Sequence, residues 1–216
     1  MARVKIGNAF PPLAWLLQRC APAGFGLGGK SALLTAKDDL NNIKANGWYY
    51  WHSDSVPAHA PTMNYTSYMI CMRVWTTDGG VCCQELMDMT DSVARGTKIQ
   101  RTAYVDTFYD WEWVNPPMFS GIEYRTTERW NGKPVYAALV NVGAFPEEGT
   151  RIASTGITAT GVIRFSAAFD YASLPIPGFM EIYTHHDGEE ITVKLQTVSE
   201  RVYSGDTYVS LYYIKD

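Results

Sequence analysis

The stretch from residue 121 to residue 146 reads Gly-Ile-Glu-Tyr-Arg-Thr-Thr-Glu-Arg-Trp-Asn-Gly-Lys-Pro-Val-Tyr-Ala-Ala-Leu-Val-Asn-Val-Gly-Ala-Phe-Pro. Apolar and polar side chains alternate over 122–127, and apolar side chains recur at strand-like spacing over 135–142, which predicts two extended segments. Asn131-Gly132 lies between them, and both residues tolerate the positive φ that a type I′ turn requires. Pro134 keeps the exit from this turn extended. The stretch therefore predicts an antiparallel β-hairpin.

Short strand signals continue on both sides of this hairpin. The predicted strands cover 47–51, 68–75, 81–87, 97–104, 108–114, 157–169, 179–183, 191–198 and 208–213. Ile191, Val193 and Leu195 alternate with polar residues, which is typical of a sheet with one solvated face. We therefore predict an all-β, mostly antiparallel fold whose C-terminal part is a β-sandwich or jelly roll.

Two short helices are also predicted. The first covers 13–19, after Pro11-Pro12, and is too short to be stable without a partner surface. The second covers 39–45, with Ser31 or Thr35 as its N-cap and Asn46-Gly47 as a left-handed stop.

The composition limits the classes of partner. The chain has 216 residues, of which 46% are hydrophobic and 13% aromatic, so it is long and apolar enough for a substantial core. Its net charge is -4 and only 19% of residues are charged, which gives no basic field for nucleic acid and no polybasic membrane patch. The N-terminal apolar stretch is interrupted by Pro11-Pro12 and Arg19, so we expect neither a signal peptide nor membrane insertion. We therefore expect a soluble chain that is made in a cytosol.

The four cysteines predict buried thiols. Cys20, Cys71, Cys82 and Cys83 are too few for a disulfide scaffold at this length and lack the paired spacing of a zinc site. Free cysteine is often interior, so reduced and mostly buried thiols are the expected state. We predict no cofactor.

The stretch from residue 24 to residue 31, Gly-Phe-Gly-Leu-Gly-Gly-Lys-Ser, matches the G-x-x-x-x-G-K-[ST] phosphate-binding loop. A functional loop of that kind follows a buried strand and belongs to a fold with alternating crossover helices, and neither feature is predicted here. A glycine-rich linker is the favoured interpretation, and nucleotide binding is not expected.

The string from Glu123 to Tyr136 resembles a segment found near the C-terminus of phage and prophage tail-fibre and receptor-binding proteins, where it opens the terminal head domain. The stretch 38–50 resembles the opening of the pyocin-knob-like module that precedes such heads, and 111–118 resembles its close. The resemblance covers roughly residues 21–143. It implies three segments: an attachment and oligomerisation segment over 1–34, a knob-like domain over 35–118, and a receptor-binding head over 119–216.

The same resemblance implies a function and an assembly. We expect a non-catalytic tail-fibre tip that binds a host cell-surface glycan or another receptor during bacteriophage adsorption. We expect a homotrimer, located in the virion tail and attached through its N-terminal segment to other tail proteins. A glycan-cleaving tailspike hydrolase is the first alternative, and a structural tail or baseplate component is the second.

Two aromatic clusters carry alternative interpretations. Residues 48–51 (Trp-Tyr-Tyr-Trp) and 111–113 (Trp-Glu-Trp) are expected mainly in the core, because alternate side chains of a strand point to opposite faces. An exposed platform for stacking sugar rings is the alternative. Asp110 and Glu112 have the spacing of a possible glycosidase acid pair, although solvated surface carboxylates are favoured.

The receptor is expected at the end of the C-terminal domain, in the loops over 174–178 and 184–190, because strand-connecting loops are free to vary and to meet a cell surface. Carboxylates and imidazoles there suit sugar hydroxyl groups, and nearby rings suit stacking. The candidate receptor-binding residues are Tyr171, Phe179, Tyr183, His185, His186, Asp187, Glu189 and Glu190. His185-His186-Asp187 is more typical of a polar loop than of a metal site, but a threefold axis that gathers three imidazoles around an ion remains open.

Overall fold

A computed structural model of the chain describes residues 31–63, 68–77, 79–89, 94–144, 146, 149–169, 178–183, 189–197 and 205–216. The chain divides into two compact units, Met1–Trp111 and Glu112–Asp216. The described secondary structure is almost entirely β and mostly antiparallel, which confirms the predicted fold class. The predicted helix over 13–19 and the glycine-rich stretch over 24–30 lie outside the described residues. The division into 1–34, 35–118 and 119–216 stays a prediction.

The first unit contains one sheet with strands in chain order. Its members are β1 (Ala32–Leu33), β2 (Gly47–His52), β3 (Met69–Thr76), β4 (Val81–Asp88) and β5 (Lys98–Tyr104), with the short β6 (Thr107–Phe108) paired to β5. β1 pairs with β2 in parallel, and the later neighbours are antiparallel. Because the side-chain period of a strand is two, one face carries the core and the other faces solvent. Trp51, Met72, Leu86 and Ile99 are buried on the core face.

The helix predicted over 39–45 is wrong in extent and in its cap. Only a 3-10 turn forms, Leu40–Asn42, and its N-cap is Asp39, whose carboxylate accepts a hydrogen bond from the Asn41 amide at 2.8 Å. The turn ends at Ile43, whose ψ of 87° is not helical, and the carbonyls of Leu40 and Ile43 accept hydrogen bonds from the side-chain amide of Gln84 at 2.7 and 2.9 Å.

A polar group lies inside the first unit. Arg101 and Gln84 are buried on the core face, and Arg101 Nε donates to Gln84 Oε1 at 2.9 Å. The guanidinium lies over the rings of Phe108 and Trp111, at 4.1 and 4.3 Å from their centres. Burial lowers the pKa of Arg101 to about 10, so the group remains charged at neutral pH. Gln84 therefore connects a buried cation to the 3-10 turn.

The second unit contains two sheets. One has the order β7 (Glu112–Trp113), β8 (Glu123–Trp130), β9 (Lys133–Gly143), β14 (Thr207–Ile214) and β11 (Gly161–Phe169), and the other has the order β10 (Thr150–Ala159), β13 (Glu189–Thr197) and β12 (Gly178–Tyr183). β7 and β8 pair in parallel, whereas the other neighbours are antiparallel. Residues from both sheets form one core cluster: Ala138, Val142, Ala159, Ile191, Val193, Leu195, Val209, Leu211 and Tyr213. The two sheets thus pack around a common core, as a β-sandwich does.

Two predicted strands are divided in the structure. The segment 108–114 yields only the two-residue strands β6 and β7, and the segment 157–169 is split between β10 and β11. The second break occurs at Thr160, whose amide donates to the carbonyl of Ile214 at 2.8 Å. The chain reverses there and adds β11 beside β14.

The hairpin prediction is confirmed. β8 and β9 pair antiparallel, with Trp130 opposite Lys133, and the two residues between them are Asn131 and Gly132. Their φ values are 48° and 79°, the positive pair that a type I′ turn requires.

The described cysteines are free thiols, as predicted. Cys82 and Cys83 are buried and Cys71 is half-buried, while Cys20 lies outside the described residues. Burial, followed by the neighbouring Cys82, raises the pKa of Cys83 to about 11, so this thiol is protonated at neutral pH. In the described part of the chain, no helix is long and apolar enough to cross a membrane.

Candidate functional site

A groove of about 610 Å³ opens on the second unit between β10 and the β8–β9–β14 side of the other sheet. Its lining combines charged, polar and aliphatic groups. The lining residues are Ser120, Gly121, Ile122, Glu123, Ala138, Leu139, Val140, Asn141, Thr155, Gly156, Ile157, Thr158, Tyr213 and Lys215. Its size is that of an ordinary small-ligand site.

One wall of the groove is an irregular segment of β10. The pairing of β10 with β13 shifts between Ser154 and Thr158, and Gly156 within the shift has a φ of 68°. The Glu190 carboxylate accepts hydrogen bonds from the Gly156 amide at 2.6 Å and from the Ser154 hydroxyl. Thr155 Oγ1 donates to the carbonyl of Ile191 at 2.6 Å. These contacts fix the β-bulge and hold residues 155–158 as the wall.

The two hydrogen bonds also act on Glu190 itself. The Ser154 hydroxyl first, and the Gly156 amide second, lower the pKa of the Glu190 carboxyl below its ordinary value. The carboxylate is therefore ionised in neutral solution and can accept both hydrogen bonds that hold the wall in place.

The opposite wall is built by the chain that leads into β8. Ser120 forms a bridge with Leu139 of β9, and the Gly121 amide donates to the Leu139 carbonyl at 3.0 Å. Tyr124 Oη accepts a hydrogen bond from the Phe119 amide at 3.1 Å. The segment before β8 is thus tied to β9, and Glu123 follows at the first position of β8.

A three-residue charged cluster lies in the groove. Tyr213 is fully buried and its hydroxyl donates to one Glu123 carboxylate oxygen, while Lys215 Nζ donates to the other. The Lys215 ammonium also lies 4.2 Å from the centre of the Tyr136 ring, which itself stacks on Tyr213 at 6.1 Å. Burial first, and the Glu123 carboxylate second, raise the pKa of Tyr213 well above its ordinary value.

The cluster gives the groove a defined chemistry. Glu123 offers a carboxylate that two donors hold in place, and Lys215 offers an ammonium beside it. With a ligand rich in hydroxyl groups, the carboxylate can accept hydrogen bonds and the ammonium can donate them. Among the lining residues that the structure describes, Glu123 is the only carboxylate.

The receptor-binding residues predicted from the sequence are only partly described. Tyr171, His185, His186 and Asp187 lie outside the described residues. Phe179 and Tyr183 lie on β12, opposite Gln196 and Thr192 of β13. Glu189 is exposed and pairs with Ala159, and Glu190 supports the wall of the groove. The assignment of these eight residues to a receptor stays a prediction.

The aromatic and acidic clusters of the sequence separate in the structure. Trp51 and Trp113 are buried, whereas Trp48 is 36% exposed, so alternate positions serve different faces. Glu112 forms ion pairs with Arg125 and Arg129, at 3.0 and 2.6 Å, and both arginines donate to its Oε1 atom. Within the described ranges, no group of three or more His, Cys, Asp or Glu residues is arranged to hold a metal ion.

No protein-family model matches the chain. No curated protein matches it either. Among solved structures, a C-terminal fragment of the P. aeruginosa R1 pyocin fibre is similar over 86% of this chain and 66% of its own, at 10% identity and a TM-score of 0.29. An N-truncated R2-type pyocin tail fibre is similar over 87% of this chain and 99% of its own, at 12% identity and a TM-score of 0.32.

Proposed function

We propose that the chain is a tail-fibre-type receptor-binding protein of a phage or phage-like particle, and that it binds a host-surface glycan without cleaving it. The proposal rests on the resemblance of residues 123–136 to tail-fibre heads, together with one structural observation. That observation is the Glu123–Tyr213–Lys215 cluster inside an open groove. Glu123 is also the first residue of the resembling string.

The cluster suits recognition of hydroxyl groups. Glu123 retains acceptor capacity beyond its two donors, because a carboxylate offers about four lone-pair sites. Ile122 and Ile157 add aliphatic surface to the groove, against which the less polar edge of a sugar packs. A ligand in a shallow polar site replaces hydrogen bonds to water with hydrogen bonds to protein, which gains little free energy. We therefore expect weak binding at one site and useful avidity only from several copies.

The assembly that follows from this proposal is a homotrimer in the virion, joined to other tail proteins through its N-terminal segment. Cyclic symmetry brings three grooves to one host surface. Light scattering on the purified chain is the test of the assembly. A stable species at the 24.2 kDa of one chain would contradict it.

To test the groove, the binding affinities of the parent, Glu123→Gln and Lys215→Gln are measured on arrays of bacterial lipopolysaccharides, teichoic acids and capsular polysaccharides. Lys133→Gln is the matched control, since Lys133 forms a surface ion pair with Asp216 at 2.6 Å and does not line the groove. We expect each groove variant to lose about tenfold in affinity, as for a lost charge-assisted hydrogen bond, and the control to bind as the parent does. Unchanged binding by both groove variants would move the receptor elsewhere.

The absence of catalysis is part of the proposal and has its own measurement. The polysaccharides that bind on the array are incubated with the protein and assayed for new reducing ends. Release of reducing ends that Glu123→Gln abolishes would replace the proposal with the hydrolase alternative.

A further inference from the structure

The first unit carries a row of three large side chains on the solvent-facing side of its sheet. Trp48 of β2 lies directly opposite Arg73 of β3, and Trp75 is two residues further along β3. Residues two apart on a strand share a face, so the three side chains lie side by side. Each tryptophan keeps 36% of its surface exposed, so part of each side chain can contact a ligand.

The guanidinium of Arg73 is held by the two rings. Its central carbon is 4.6 Å from the centre of the Trp75 ring and 5.8 Å from that of the Trp48 ring, which are cation–π distances. The contacts hold the planar group in place at the surface while the side chain stays 42% exposed. The orientation of the Arg73 guanidinium is thereby fixed before a ligand binds.

The hydrogen-bonding capacity of Arg73 is largely unused. Its nearest carboxylate, Glu85, is 3.4 Å away, which is longer than a usual charge-assisted hydrogen bond. Arg73 Nε is buried and has no hydrogen-bond partner. Because Nε is enclosed, the donors that an outside acceptor can reach are those of the two terminal nitrogens, of which Nη2 makes only the long contact with Glu85.

The charge of this face favours an anion. Along β2–β5 the side chains on this face that carry a formal charge are Arg73, Lys98 and Glu85, two cations against one anion, in a chain whose net charge is -4. Gln100 lies opposite Glu85 and adds a neutral amide. The excess of positive charge favours an acidic ligand on this face.

We propose that Trp48, Arg73 and Trp75 form a second saccharide-binding site, which takes a carboxylate-bearing sugar such as a uronic acid residue of an acidic polysaccharide. The indoles contact the apolar face of the sugar ring, and the guanidinium of Arg73 donates two hydrogen bonds to the carboxylate. This site lies on a different unit from the groove, and its existence does not depend on a tail-fibre role.

The test is a titration of the full chain with tetragalacturonate, followed by tryptophan fluorescence and calorimetry. We expect the acidic tetrasaccharide to bind and the neutral cellotetraose to bind at least about fivefold more weakly, because only the former pairs with Arg73. Arg73→Gln and Trp75→Ala should each weaken binding about tenfold, in line with the loss of a charge-assisted pair or a stacking surface. Trp130→Ala, which removes an exposed indole from the second unit, should leave binding unchanged.

Folding of each variant is checked by thermal melting. If Arg73→Gln fails to fold, Arg73→Lys keeps the charge and the stem but loses the planar fork, and a several-fold loss of affinity is expected from it. The proposal is overturned by absence of binding to tetragalacturonate, by equal binding of the neutral sugar, or by unchanged affinity in the folded Arg73 and Trp75 variants. Glu123→Gln should not change this binding, so failure of the groove and failure of this site give different results.

Discussion

The hydroxyl of Tyr213 donates a hydrogen bond to the carboxylate of Glu123 across the intervening strand β9. Tyr213 is fully buried, whereas Glu123 is exposed, so the bond fixes a surface carboxylate to the core of the second unit. Lys215, two residues after Tyr213, holds the other carboxylate oxygen. A carboxylate held at both oxygens loses little side-chain entropy when a ligand binds, which is why this relationship supports a recognition site.

Tyr213 should make the protein less stable in alkaline solution. Its pKa is raised in the folded state, so above the ordinary tyrosine value of 10.0 the unfolded chain loses this proton first. Stability is therefore fully present below pH 10 and falls as the pH rises further. Urea denaturation of the parent and Tyr213→Phe at increasing pH measures the effect, and the variant should lose less stability. Part of the loss will persist, because burial also raises the pKa values of Tyr49 and Tyr124. Parallel pH profiles for the two proteins would show that the Tyr213 hydroxyl has no such role.

Glu190 should control the wall of the groove in acid. Its pKa is lowered by the Ser154 hydroxyl and the Gly156 amide, so its contribution is present above the ordinary value of 4.5 and is lost as the pH falls below it. An NMR titration of the Gly156 amide should give a midpoint below 4.5. In Glu190→Gln the amide signal should no longer move in that range. A midpoint at or above the ordinary value would mean that the hydrogen bonds are not maintained in solution.

The sequence predicted those features that are determined locally. The turn at Asn131-Gly132 depends on the φ preferences of two adjacent residues, and the alternation over 191–195 depends on one strand, and both were correct. The 3-10 turn at Leu40–Asn42 was predicted as a longer helix. The carbonyls of Leu40 and Ile43 accept hydrogen bonds from Gln84, a residue more than forty positions away, and such a distant contact is not visible in the local sequence.

The groove could not be predicted for the same reason. Its wall requires the pairing of Gly156 with Glu190, and its charged cluster requires Glu123 and Tyr213, which are 34 and 90 positions apart. Glu190 was predicted as a receptor ligand from its loop position, whereas the structure gives it a supporting contact. Glu123 was not among the candidate receptor-binding residues. It is the first residue of the resembling string, but that position carries no information about its partners.

Gly132→Ala should destabilise the second unit by about 1–2 kcal/mol, the usual cost of a left-handed conformation for a residue with a Cβ atom. Gly132 has a φ of 79°, and an added methyl group would meet no atom within 4 Å, so the whole cost lies in the backbone. Gly161→Ala is the matched control, since its new Cβ would lie at an ordinary 3.5 Å from Ile214 and its φ is not left-handed. Chemical denaturation should show a loss for the first variant and none for the second. Equal stabilities would contradict the assigned turn.

Gln84→Leu should destabilise the first unit strongly, although the two side chains are similar in size. Gln84 is fully buried and makes three hydrogen bonds: it accepts from Arg101 and donates to the carbonyls of Leu40 and Ile43. Arg101 Nη2 already lacks a hydrogen-bond partner. Loss of the Gln84 side-chain oxygen removes the acceptor of Nε as well and leaves Arg101 as a buried cation with still fewer acceptors. We expect a loss of about 3 kcal/mol, the range for an unsatisfied buried group next to a charge.

Gln100→Leu provides the comparison for this substitution. Gln100 lies on the opposite, solvent-facing side of β5, so its replacement should change the free energy of unfolding by less than about 0.5 kcal/mol. Both variants are measured by urea denaturation, and hydrogen exchange at the amide of Ile43 reports on the 3-10 turn directly, because that amide donates to the Leu40 carbonyl at 3.2 Å. The Ile43 amide should exchange faster in Gln84→Leu and at the parent rate in Gln100→Leu. If Gln84→Leu is as stable as the parent and Ile43 stays protected, the Arg101–Gln84 contact does not hold the turn to the sheet.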